Sequence, residues 1–198
     1  GSSPKAPTGA IAMRPADTIQ PAEFAKFKKG GEDEFVRCTA EIEPNPKGVF
    51  GFNLARELKV VPVRLVVTLK DPSKPVIVSR AEMDPILFSE TGAVLPPVDP
   101  EVLRQKITSR KQDQYLKSVF EGRNLRSLDK SDEVSGYLFF QLPAGPLNKD
   151  DYFTHSEDGG IVYSGVLSRS MLQFTYEWER KTGQEVETGS NIINVGTY

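Results

Sequence analysis

Between positions 150 and 160 the chain gathers carboxylates: Asp150, Asp151, Glu157 and Asp158, with His155 among them, run up to Gly159-Gly160. Oxygen-rich loops with glycines hold calcium, because a hard cation prefers carboxylate and carbonyl oxygens. The spacing departs from the EF-hand loop, lacking its regular alternation and its closing bidentate Glu. A solvated acidic loop is the expected state, with calcium the one cofactor such a loop would take and those four carboxylates its ligands. His155 would be an additional ligand in that scheme, although a lone surface His usually is not one.

Charge of the opposite sign is concentrated earlier. Arg104, Lys106, Arg110, Lys111, Lys117, Arg123, Arg126 and Lys130 stand against only Asp113, Glu121 and Asp129, so residues 104–130 carry +5 while the whole chain carries -2. A solvated helix face is one reading of such a run. The functional reading is contact with an anionic partner, whether lipid headgroups, an acidic protein or a polyanionic envelope polymer, made by Arg104, Lys106, Arg110, Lys111 and Lys117. Nucleic acid is not the expected partner, because aromatic residues for base stacking are scarce in this run.

Fragments that imitate serine acyl-transfer motifs are also present: Ser127-Leu-Asp-Lys130 fits S-x-x-K, Ser131-Asp132-Glu133 half-fits S-D-N, and Lys181-Thr182-Gly183 fits K-T-G. The first two abut in a polar, turn-like stretch, whereas that chemistry needs the nucleophile at the start of a buried helix and the second motif far downstream. The match is rejected. With 1 Cys and 1 His, internal disulfides and the common His- or Cys-rich metal sets are excluded, and Cys38, in phase with Val36, Ala40 and Ile42, reads as a small core residue. Glycine loops for nucleotides are missing too.

Whatever these groups do, strands must position them. Val61, Val63, Leu65, Val67 and Leu69 alternate with Pro62, Arg64, Thr68 and Lys70, which predicts a strand over 60–70 with one buried face. A second alternation over Glu34–Glu43 ends at the turn-like PNPKG, and Val49–Leu58 is compatible with either an irregular strand or a helical turn. Asp71–Pro75 (DPSKP) predicts a tight hairpin from the 60–70 strand into 76–80. Asp99-Pro100-Glu101 is a helix start, with an N-cap acceptor, a pre-set φ and a carboxylate at the positive helix end; Gly122 is the matching stop. Val134–Leu142 is apolar on both faces and suits a central strand. Further strands are expected at 161–167 and through Leu172, Phe174, Tyr176 and Trp178, then a turn at Lys181-Thr182-Gly183 and a short terminal strand or strands.

The architecture these imply is mostly β: an antiparallel immunoglobulin-like β-sandwich with one helical insertion at about 99–122, a single domain over 22–198. Residues 1–21, rich in Pro and small residues, read as a flexible tether. No apolar run approaches the roughly 18 residues of a spanning helix. The function expected is a non-catalytic interaction module on the outer side of a bacterial membrane, periplasmic or at the cell surface, with a lipid anchor preceding the tether and a protein or anionic envelope component as partner. The alternative is a hydrolase or metal-dependent binding protein using the acidic loop 150–158.

Overall fold

The computed structural model describes residues 28–89, 93–107, 132–142, 153–155, 161–163, 167 and 169–197. In chain order the strands are β1 (Gly31–Glu32), β2 (Val36–Ile42), β3 (Val60–Leu69), β4 (Val76–Ile77), β5 (Ile86–Ser89), β6 (Val94–Leu95), β7 (Glu133–Gln141), β8 (Phe153–His155), β9 (Ile161–Tyr163), β10 (Ser170–Thr182) and β11 (Glu185–Gly196). Short helices intervene: α1 (Pro46–Phe50), α2 (Leu54–Leu58), α3 (Arg80–Met83) and α4 (Pro100–Arg104). The chain is mostly β, and its sheets are antiparallel. One sheet runs β1-β2-β3-β7, a second β11-β10-β5-β6 with β4 also on β10, and β8 with β9 makes a two-stranded sheet.

Alternation explains β3. Val61, Val63, Leu65 and Val67 are fully buried while Arg64 is exposed, each buried aliphatic side chain contributing roughly 1.5–3 kcal/mol of transfer free energy. Pro62 is tolerated inside this strand for a local reason. Its carbonyl accepts from Glu43 N–H at 3.0 Å, one residue beyond the end of β2, so the donor it lacks faces the place where the neighbouring strand stops.

Inner-face residues of both sheets, among them Val63, Leu65, Phe140, Leu172, Phe174 and Val195, make one core cluster. Strand β7 is apolar on both faces because it serves two cores. Leu138 and Phe140 face that main core, whereas Tyr137 and Phe139 join Phe50, Leu54, Leu103 and Ile107 in a smaller cluster under α1, α2 and α4. The Phe50 ring meets Tyr137 and Phe139 edge-on, with centroids 5.0 and 5.6 Å apart.

Hydrogen bonds join the two sheets at both margins. At one, Gly30 N–H donates to Gly196 O at 2.9 Å and Gly196 N–H returns a bond to Gly30 O at 3.0 Å. At the other, the chain leaving β6 lies along β7: Val98 N–H donates to Phe139 O at 2.7 Å and Gln141 N–H to Pro96 O at 2.9 Å. The order of hydrogen-bonded neighbours therefore closes on itself, which leaves little open edge around the main core.

Some local expectations change. Positions 46–50 and 54–58 are helical because Asn45 and Asn53 each offer a side-chain acceptor, to Gly48 N–H and Arg56 N–H, both at 3.1 Å. The hairpin from β3 into 76–80 does not form. Both edges of β3 are taken by β2 and β7, so the Asp71 turn, held by Ser73 N–H on Asp71 Oδ1 at 2.9 Å, carries the chain across to pair β4 with β10 at Val76↔Trp178. Helix α4 starts as expected, with Asp99 Oδ1 accepting from Glu101 N–H at 2.9 Å and Pro100 at its first position; residues 108–122 of the expected helix, and the tether 1–21, lie outside the described residues. The terminal strand is one long β11, in unbroken register with β10 from Thr182↔Glu185 to Met171↔Gly196. Gly183, at φ 67, occupies the first position of its two-residue turn, where a II′ geometry requires a positive φ.

Candidate interaction surfaces

Two arrangements of polar and aromatic groups stand out: one ties elements together, the other lines a hollow. The first ties the segment before β2 to the β10–β11 pair. Asp33 Oδ1 accepts from Phe35 N–H at 2.9 Å and Val36 N–H at 3.0 Å, while its other oxygen accepts from the Tyr176 hydroxyl. Asn191 Nδ2 donates to the Tyr176 hydroxyl oxygen at 3.1 Å, and Trp178 Nε1 to Asn191 Oδ1 at 3.1 Å. Trp178 stacks on Phe35 with centroids 5.1 Å apart. The Arg180 guanidinium lies over both rings, 5.4 and 5.7 Å from their centroids, and its Nη2 is 2.8 Å from Glu34 Oε2, which Lys74 Nζ reaches at 2.9 Å. Burial first, and then the bond to Asp33, pushes the Tyr176 phenol up from its ordinary value. Most of its polar groups find partners within it, although Arg180 Nε, like Arg80 Nε, is buried without a hydrogen-bond partner among the described residues. The network is a clasp that fixes three elements, with Arg180 engaged by a carboxylate and two ring faces.

The second arrangement is open. A hollow of about 440 Å³ is lined by Arg80, Asp84, Pro85, Pro97, Val98, Pro100, Leu138 and Phe139, where the start of α3, the approach to α4 and the outer face of β7 meet. The side chains lining it are apolar apart from Arg80 and the carboxylates Asp84 and Asp99, and polar and apolar surface share the lining almost equally. Asp99 spends an oxygen on Glu101 N–H. Asp84 holds a left-handed backbone at φ 46, an uncommon state for a residue other than glycine. Arg80 Nε is buried and, like Arg180 Nε and Asp132 Oδ1, has no hydrogen-bond partner among the described residues. A buried N–H of a cation without an acceptor is costly, and native structures rarely keep one without a reason.

The residues singled out by sequence distribute as follows. Arg104 is half-buried, its Nε 3.0 Å from Glu101 Oε2 on the same helix, and Lys106 is exposed. Arg110, Lys111 and Lys117 lie outside the described residues, as do Asp150, Asp151, Glu157 and Asp158. His155 closes β8, its backbone opposite Ile161 of β9. Lys181 and Thr182 end β10 and Gly183 opens the two-residue turn into β11; residues 127–130 lie outside the described residues. Cys38 is 1% exposed, and burial raises its thiol well above the ordinary range, which makes it inert packing. Among the described residues no three His, Cys, Asp or Glu side chains converge on a metal position, and no helix is long and apolar enough to cross a membrane.

Family models, curated proteins and solved structures all fail to match this chain. The site must therefore be argued from its own chemistry. Sequence reasoning missed Arg80 because Ser79-Arg80-Ala81-Glu82 has no pattern that separates it from any exposed helical turn; the residues that make it matter arrive from positions 97–100 and 138–139.

Proposed function

We propose that the chain is a non-catalytic interaction module whose partner presents a carboxylate on an apolar surface to the Arg80 hollow. The single observation behind this is a buried Arg80 Nε that lacks an acceptor among the described residues and, unlike the other such atoms, lies in a hollow, among Pro85, Pro97, Val98 and Phe139. An acidic side chain flanked by apolar neighbours on a protein would supply the missing acceptor and cover the apolar part of the walls, the usual make-up of a concave recognition site. Asp99 and Pro100, on the wall of the hollow, open the segment that continues into Arg104, Lys106, Arg110, Lys111 and Lys117. Those cations would steer an acidic partner toward it without each needing a contact.

The compartment belongs to the same proposal: a module outside a bacterial inner membrane, periplasmic or at the surface, held by a tether over 1–21. The finer architecture does too. A two-sheet sandwich is supported by the one core both sheets share; against an immunoglobulin-like order stand the consecutive neighbours β1-β2-β3 in one sheet and the hydrogen-bonded margins.

Replacing Arg80 tests the proposal. Binding of a fluorescent Phe-Asp peptide, followed by anisotropy, is expected to weaken about tenfold or more in Arg80→Met, since a charge-assisted hydrogen bond contributes roughly 1.5–3 kcal/mol. The melting temperature should hold or rise, because Met keeps the apolar stem and removes an unpaired buried donor. A lower melting temperature with unchanged binding would make Arg80 a structural residue and sink the reading.

A further inference from the structure

Among the described residues strand β11 has an open edge, and the sequence along that edge is close to symmetric about Gly189. Thr197 N–H points to β10, donating to Ser170 O at 3.0 Å, whereas Gly196 bonds away from β10, to Gly30. Because β10 and β11 stay in register without a break, backbone direction alternates, so Val186, Thr188, Ser190 and Ile192 all point their N–H and C=O groups away from β10. Among the described residues none of these four groups takes a backbone partner. The edge carries no Pro, no Lys and no interruption of register, the devices that ordinarily block strand pairing.

We infer that β11 pairs antiparallel with β11 of a second copy about a two-fold axis through Gly189. Val186 and Ile192 lie three residues to either side of Gly189, and each is 56% exposed on the face away from the core. In that register Val186 of one copy stands opposite Ile192 of the other, so the two exposed apolar side chains of the strand cover each other twice. Thr188 meets Ser190, Glu187 meets Asn191, and Glu185 meets Ile193, so no glutamate faces a glutamate. A shift of the axis by one residue would instead set Val186 against Ser190 or Asn194. The paired span is limited to 185–193, because Gly31 already packs against Asn194 O and Gly30 bonds Gly196. An interface of this kind is isologous and closes as a dimer.

Sedimentation equilibrium on the full chain tests this. The parent is expected to show a concentration-dependent monomer–dimer equilibrium. Ser190→Pro removes an N–H that β10 does not use and should weaken the dimer about tenfold or more while the melting temperature of dilute protein stays the same. Val186→Lys places two lysines against Ile192 and should weaken it similarly, and Val186→Lys with Ile192→Glu should restore much of the loss, since the two positions meet only between copies. A parent that is monomeric at every concentration would overturn the inference. A dimer indifferent to all three variants would overturn it equally, by locating the contact on another surface.

Discussion

Arg80 and the tyrosines show how far a single side chain can be read. Tyr137 donates to Glu43 and Tyr176 to Asp33, and in both phenols burial is the larger cause, the carboxylate bond the second, of an upward shift. The sign of the consequence follows. A group whose folded pKa is raised contributes stability that is complete below its unfolded value and is lost as pH climbs toward the folded one. Unfolding free energy, measured by urea titration, is therefore expected to fall steeply above about pH 10, where unfolded tyrosines ionise. The double variant Tyr137→Phe/Tyr176→Phe should start lower at neutral pH, through lost hydrogen bonds, and decline less steeply above it; parallel slopes for parent and variant would mean these phenols ionise as freely in the folded state. None of this was visible in sequence. Tyr176 and Asp33 are 143 residues apart, and nothing in either neighbourhood announces the other.

Elements were more legible, because periodicity is local. Alternation in β2, β3 and β10 marked their buried faces, and the apolar character of β7 on both sides is explained by two cores, one on each face. What periodicity cannot give is the neighbour. The DPSKP turn has hairpin chemistry, yet β4 pairs with β10 because β3 has no edge to offer. The β10–β11 ribbon yields a test of close approach. A Cβ on Gly189 would sit 2.3 Å from Trp178 Cζ2, so Gly189→Ala must push the indole off Phe35 or bend the strand. The expected cost is roughly 1–3 kcal/mol, with a change in the emission of the chain's 1 Trp. Unchanged stability and emission would show that Trp178 has room the packing denies it.

On the scale of the whole molecule, the mostly β character came through from composition and alternation, while closure did not. The margins are sealed by the backbones of Gly30, Gly196, Pro96 and Val98, groups every residue type possesses, so no side-chain pattern could have marked them. The Arg80 hollow is a product of that closure, since residues 96–98 are brought against β7 by it and Pro97 and Val98 form one wall. Recognition of a carboxylate there is the central claim, and the Nε–H resonance of Arg80 reports on it directly. In side-chain N–H correlation spectra, with the signal assigned by its absence in Arg80→Met, acetyl-Phe-Asp amide is expected to shift that resonance saturably, and less so at high salt. Acetyl-Phe-Asn amide should leave it in place. A resonance that moves with neither peptide, or equally with both, would contradict the account.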